Sequence, residues 1–187
     1  MYIAVYCGSA LGNNKNYEKQ TILLAKKLAQ NGFKIVYGGS EQGLMGIISN
    51  ESLELGSSVI GVITYDLIEK ELENSKISTI YKVNSLKDRK AKMEELSDAF
   101  IALPGGYGTL EEIIDVITAA QLGYHKKPCA FLNIDGYYDK FIEFLYSCSE
   151  SGFIEKRFVD MLIVSEDIDE IIEKIKLYEA PKAKWDK

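Results

Sequence analysis

The sequence predicts an α/β fold: an open, mostly parallel β-sheet in three layers, with helices on both faces. Three observations carry that expectation. Short apolar runs recur through the 187 residues, the runs lack polar alternation, and each is followed by a longer stretch with helical spacing. Strands without polar alternation are covered on both faces. Right-handed crossovers through the intervening helices then set them parallel in one open sheet.

Residues 3–6 form the first strand, followed by the loop 7–15 and a helix over about 16–31. In that helix Ile22, Leu24, Ala25, Leu28 and Ala29 make a recurring apolar stripe, and Asn31-Gly32 supplies a stop. Residues 35–37 are the second strand, and 38–46 lead into a helix ending near Gly56. The third strand, 59–63, is followed by a shorter helical segment near 66–73. A weaker strand at 77–83 precedes a charged helix over 85–97, and the strand 100–103 comes next. After 104–108 a strong helix runs to about Leu122, then the strand 129–132. Residues 133–136 turn into a helix through about Ser149. The last strand is 161–164, and the last helix, 167–178, has Ile168, Ile171, Ile172 and Ile175 as its stripe. The expected organisation is one α/β domain over residues 1–180 and a loose polar tail over 181–187.

Composition narrows the function classes. With 47% apolar and 27% charged residues, the chain reads as a soluble globular protein. Twenty-two basic against 28 acidic residues give a net charge of -6, which argues against a protein built to wrap nucleic acid. A small phosphorylated ligand remains compatible, because a local basic site works inside an acidic surface. No apolar run reaches the roughly 18 residues of a membrane span, and Met1–Ser9 lacks the basic region of a secretory signal. Neither a nucleic-acid partner nor a membrane is expected. Cys7, Cys129 and Cys148 form no CxxC pair, and the single histidine, His125, cannot build a His-rich metal site. Sparse, odd-numbered cysteines suit a reducing cytoplasm. Cys7 and Cys129, in or beside apolar runs, read as buried thiols.

In such a sheet, ligands bind beyond the carboxyl ends of the strands. Three of those ends are glycine-rich here: Cys7-Gly8-Ser9, Gly38-Gly39-Ser40 and Pro104-Gly105-Gly106-Tyr107-Gly108-Thr109. Together they suggest a shared floor for one ligand. The third delivers Gly108-Thr109 to a helix start, where unpaired N–H groups and the helix field favour an anion such as phosphate. Thr109 as a simple helix cap is the plainer reading. GxxxxGK[ST] is absent, and no segment makes a convincing GxGxxG. Glu111 and Glu112 follow in the first turn. Leu110, Ile113, Ile114, Ile117 and Gln121 mark the expected packed side of this helix. Glu111 falls with Asp115 and Thr118, and Glu112 nearer the Thr109–Val116 edge. Spacing leaves open which edge faces the cleft. Arg89, one of two arginines, sits in Lys87-Asp88-Arg89-Lys90 and offers a rigid fork of donors for an anion. A solvated helix face is the alternative.

These segments together resemble the LOG family, Rossmann-like proteins known as cytokinin riboside 5'-monophosphate phosphoribohydrolases and formerly mislabelled lysine decarboxylases. The similarity runs from Ile3 to about Leu177. It is strongest in GGSEQGLMG (38–46), DRKAKM (88–93) and SDAFIALPGGYGTLEE (97–112), with GYHKKP (123–128) and NIDGYY (133–138) in support. The family's PGGxGTxxE element is matched by Pro104–Glu112.

The resemblance implies that Arg89 and Glu112 are catalytic. It places the 5'-phosphate on Gly106, Tyr107, Gly108 and Thr109, with Leu110 and Glu111 completing the element and Arg89 and Lys90 closing on the nucleotide. Gly39 joins the binding set from the second glycine-rich loop, and Glu71 and Thr118 match further substrate contacts. The implied protein is a homodimer with its site near the subunit boundary, needing no redox cofactor and no obligatory metal. Its substrate is a nucleoside 5'-monophosphate. The chain departs from the family at Leu86-Lys87, where methionine-histidine is common, and at Ser40, Thr64 and Ala119. The activity implied is cleavage of the N-glycosidic bond to free base and ribose 5-phosphate. A noncatalytic nucleotide-binding regulator would use the same anion site, with Glu112 merely shaping the pocket.

Overall fold

The computed structural model describes residues 1–68, 73–74, 76–77 and 79–186. Among them seven strands form one sheet: β1 (Tyr2–Tyr6), β2 (Lys34–Tyr37), β3 (Val59–Thr64), β4 (Thr79–Val83), β5 (Ala99–Ala102), β6 (Cys129–Leu132) and β7 (Ile163–Ser165). Their order is β4-β3-β2-β1-β5-β6-β7, with every neighbouring pair parallel. Between them run α1 (Lys15–Gln30), α2 (Gly43–Glu54), α3 (Tyr65–Ile68), α4 (Leu86–Leu96), α5 (Tyr107–Leu122), α6 (Asp139–Glu150), α7 (Lys156–Asp160) and α8 (Ile168–Lys176).

Period-two alternation sorts each central strand between two cores. Ile3 and Val5 of β1, with Ala99 and Ile101 of β5, face the layer holding Leu24, Leu28, Ile48 and Ile171. Ala4 and Tyr6, with Phe100 and Ala102, face the layer holding Met93, Ile113, Val116 and Tyr138. Helices α1, α2 and α8 therefore cover one face, and α4, α5 and α6 the other. This is the expected three-layer, Rossmann-like α/β architecture.

The order of strands reverses between β1 and β5, and the loops leaving those two strands part there. Such a switch point opens a crevice at the strand ends. The crevice is laced by backbone: Gly8 N–H donates to the Pro104 carbonyl at 3.1 Å, and Leu44 N–H to the Gly8 carbonyl at 3.0 Å. Three glycine-rich loops thus meet through their main chains, which only short side chains permit.

Differences from the sequence expectations are local. Helix α7 was not anticipated, because five residues show no helical period. The segment expected as helix near 66–73 is helical at Tyr65–Ile68, and Glu73 instead bridges Ser40; residues 69–72 lie outside the described part. The last strand is Ile163–Ser165, slightly later than 161–164. The tail expected to be loose is tied down at Lys184, whose N–H donates to the Gln121 carbonyl at 2.9 Å. That bond satisfies one of the open carbonyls at the end of α5.

Candidate active site

A cavity of about 280 Å³ opens at the carboxyl ends of the central strands. Gly8 and Ser9 line it from the β1 loop, Gly38 from the β2 loop, and Gly106 to Thr109 from the start of α5. Arg89 and Lys90 of α4 and Glu111 and Glu112 of α5 close its other walls. The shared floor expected from three glycine-rich strand ends is therefore present.

Of the helices that begin at this cavity, α2 and α5 carry no side-chain cap, whereas α4, whose first residue Leu86 also lines it, does. The N-cap residues are Gln42 for α2 and Gly106 for α5, and no side chain bonds their first amides. Helices α1, α4 and α8 are capped by Asn14, Ser85 and Asp167, while α6 and α7 also lack a side-chain cap. The start of α5 is thus left with open donors and the positive end of its dipole. Thr109 does not cap the helix. It sits inside the first turn, buried, and its hydroxyl occupies the space a side chain at Gly105 would need: a Cβ there would lie 2.1 Å from Thr109 Oγ1. Glycine at 105 is required by that contact.

Arg89 is buried and held by three acceptors from three elements. Nε donates to the Val62 carbonyl at 2.9 Å, Nη2 to the Gly38 carbonyl at 3.3 Å, and Nη1 to Glu112 Oε1 at 2.6 Å. A Cβ on Gly38 would lie 2.2 Å from Nη2, so the guanidinium reaches its seat only over a glycine. Arg89 and Glu112 are 9% and 8% exposed, which makes this a buried ion pair and not a surface one. Burial pushes the Glu112 carboxyl above the ordinary glutamate value, and the charge and hydrogen bond of Arg89 pull it back. Removing either partner leaves the other charge buried without compensation, at a cost of about 3–5 kcal/mol.

At the rim, Lys90 Nζ lies 2.7 Å from Glu111 Oε1 and 3.4 Å from Asp115 Oδ2. The hydrogen bond that Lys90 donates to Glu111 raises the Lys90 pKa. Both carboxylates are more than half exposed. Cys7 also lines the cavity, but burial and the nearby Glu112 push its thiol far up, so it is held protonated and unreactive. Cys129 is likewise buried, as expected.

Of the residues singled out from sequence, Arg89, Lys90, Gly106, Tyr107, Gly108, Thr109, Glu111 and Glu112 converge on one cavity. Gly39 does not line it; its neighbour Gly38 does, while Gly39 turns at φ 79° against Ile63. Leu110 packs on the apolar layer beneath the helix. Thr118 is exposed, bonds the Ile114 carbonyl, and lines a separate apolar groove. Glu71 lies outside the described residues. Sequence reasoning gave no site role to Val5, Met45, Leu67 and Leu86, which supply apolar lining. Of these, Leu86 alone was noted, as part of the departure at Leu86-Lys87.

Comparison with known proteins bears on this arrangement. Residues 45–175 match the family model described as "Possible lysine decarboxylase". The chain is 43% identical over 176 residues to the cytokinin riboside 5'-monophosphate phosphoribohydrolase LOG of Oryza sativa subsp. japonica, covering 94% of this chain and 73% of that one. It is 42% identical over 176 residues to the enzyme of the same activity, LOG1, of Arabidopsis thaliana, covering 94% and 83%. The molybdenum cofactor carrier protein of Chlamydomonas reinhardtii shares the fold, with a TM-score of 0.70 and 19% identity over 95% of this chain and 96% of that one.

Proposed function

We propose that this chain, which belongs to the LOG family of cytokinin riboside 5'-monophosphate phosphoribohydrolases, hydrolyses the N-glycosidic bond of AMP or an N6-modified adenosine 5'-monophosphate. The products are the free base and ribose 5-phosphate. One observation carries the reading: a buried Arg89–Glu112 pair and an uncapped helix start share a single cavity.

Thr109 and Glu112 are three residues apart on the buried edge of α5, about 4.5 Å along its axis at 1.5 Å per residue. A phosphate seated on the Gly106 to Thr109 amides would then set the sugar beside the Glu112 carboxylate. Breaking the bond builds positive charge on the ribose. A carboxylate already fixed in a dry site stabilises that charge without reorganising. Glu112 either orients the water that adds to the anomeric carbon or attacks that carbon itself, as paired carboxyl groups do in glycoside hydrolysis. Arg89 holds Glu112 in place and counters the joint negative charge of carboxylate and phosphate. It stays protonated and so is no proton donor to the departing base; that proton comes from water or another donor.

The reading includes a homodimer in the cytoplasm. Thr118, matched to a family substrate contact, does not line the cavity of its own protomer. It lies instead in an apolar groove of about 350 Å³ with Ile114, Ile117 and Phe144, the last 60% exposed. A second copy seated there would cover the groove and bring its own Thr118 toward the first site. The free thiols of Cys7, Cys129 and Cys148 suit a reducing compartment.

The test is incubation with AMP, an N6-isoprenyl AMP and adenosine, with assays for free base and ribose 5-phosphate. Remote binding energy from phosphate holds the sugar in its reactive pose, so kcat/KM for adenosine should be lower by a factor on the order of 100. Equal turnover of AMP and adenosine overturns the role given to the phosphate. Binding of the nucleotides without either product overturns catalysis and leaves a binding protein.

A further inference from the structure

We infer that Tyr137 is a positioning residue for the anion-binding turn, acting through the backbone from a loop that never touches the substrate cavity. The inference rests on the phosphate seat proposed above. Tyr137 stands in the loop between β6 and α6, on the far side of the 104–106 turn. Its phenol donates to the Gly105 carbonyl at 2.6 Å. Tyr137 and Gly105 line a second recess together with Pro104 and Tyr17, and neither lines the catalytic cavity. Gly106 lines both.

The carbonyl of Gly105 and the N–H of Gly106 belong to one peptide plane. The peptide is trans, as no cis bond occurs among the described residues, so these two groups point in opposite directions. Holding the carbonyl toward Tyr137 therefore aims the Gly106 N–H the other way, to the side of the turn where the catalytic cavity lies. Gly106 needs such a hold. It has no Cβ, it is the uncapped N-cap of α5, and no atom beyond its chain neighbours stands within 4 Å of where a side chain would begin.

The loop is built to keep Tyr137 in place. Asn133 Oδ1 accepts from Tyr138 N–H at 2.7 Å, and Asn133 Nδ2 donates to Asp139 at 2.7 Å. Asp135 takes a left-handed conformation, φ 52°, that is uncommon outside glycine. Its carboxylate accepts from Asn14 Nδ2 at 2.7 Å and Asn16 Nδ2 at 3.0 Å, which ties the loop to the start of α1. The ring of Tyr17 meets that of Tyr137 edge-on, with centroids 5.7 Å apart.

The adjacent residue provides an internal control. Tyr138 donates to the Leu103 carbonyl, also at 2.6 Å. The peptide it grips ends in Pro104, which has no N–H to aim. Two tyrosines thus make the same bond to the same turn, and only one can orient a donor.

Calorimetric titration of the wild type, Tyr137→Phe and Tyr138→Phe with AMP and with adenosine separates these roles without requiring turnover. The preference for AMP over adenosine should fall roughly fivefold in Tyr137→Phe, the size of one ordinary hydrogen bond, with the adenosine Kd unchanged. Tyr138→Phe should lower Tm and leave that preference intact. Undiminished preference in Tyr137→Phe, or an equal loss in Tyr138→Phe, overturns the inference. A wild type that binds AMP no more tightly than adenosine instead overturns the phosphate seat, and this inference falls with it.

Discussion

The two halves of helix α5 reverse the usual partition of side chains. Its first half buries Thr109 and the charged Glu112, whereas its second half buries Val116 but leaves Ile117 only partly covered and Thr118 exposed. Carboxylates are almost never buried unless paired, and Glu112 is kept inside by Arg89. An apolar groove such as the one lined by Ile114, Ile117 and the 60% exposed Phe144 is the kind of surface on which another molecule docks. The contrast is instructive because one continuous helix carries both. A buried charge beside a cavity marks the proposed chemistry, and exposed apolar groups one or two turns on mark the proposed partner.

Breaking the first half should have the largest effect. Glu112→Gln keeps the shape of the side chain, and Arg89 retains its bonds to the Val62 and Gly38 carbonyls. Turnover of AMP should fall on the order of 100- to 1,000-fold, as when a preorganised electrostatic group is lost, while AMP binding by calorimetry changes little. Retained turnover would remove Glu112 from the mechanism. The pH profile of kcat offers a second reading of the same group. Burial raises the Glu112 carboxyl above 4.5, and catalysis needs it ionised, so activity should fall with decreasing pH before an ordinary glutamate would titrate. A limb at or below 4.5 contradicts this. Stability moves the other way: the folded chain holds that proton more tightly than the unfolded one. This carboxyl therefore weakens the fold as pH rises from the unfolded value through the folded one.

Breaking the second half tests the proposed partner. Ile117→Asp puts a charge into the apolar groove. If a second copy seats there, loss of about 2 kcal/mol at a central interface residue weakens association roughly 30-fold. Light scattering at micromolar concentration should then show monomers for the variant and dimers for the wild type. On the proposed reading, in which Thr118 of the second copy completes the site, AMP turnover should drop with dissociation. A wild type that is itself monomeric and fully active ends this part of the reading.

The same helix shows what was legible in the sequence. The layers and the parallel sheet could be expected because fully apolar strands carry a clear signal, and the glycine-rich strand ends marked the crevice; the strand order could not be read from the sequence. The Arg89–Glu112 contact spans 23 positions, and no periodicity predicts it. Family resemblance gave both residues a role, but not the grip of Val62 and Gly38 on the arginine. The stripe Leu110, Ile113, Ile114, Ile117 and Gln121 was expected to mark the packed side. The helix in fact buries Thr109, Glu112, Ile113 and Val116. Apolar spacing registers that a face is covered and is blind to whether the cover is the sheet or another molecule. For the same reason Gly39 was chosen where Gly38 lines the cavity: both glycines read alike until the guanidinium is placed.

The smallest expected effect separates the rim from the interior. Lys90 is also paired, with Glu111 and Asp115, but those carboxylates are more than half exposed and reach water freely. Such pairs contribute about 0.2–1 kcal/mol, far below the cost of breaking a buried one. Glu111→Gln should therefore leave kcat and Tm nearly unchanged. It removes a negative charge near the proposed phosphate and frees Lys90 in part, Asp115 still holding it at 3.4 Å. The KM for AMP should fall about twofold at low ionic strength. The gain should vanish near 1 M salt, where the screening length drops to about 3 Å. A salt-independent change, or one as large as that in Glu112→Gln, would mean that the rim belongs with the buried pair and that exposure does not divide their roles.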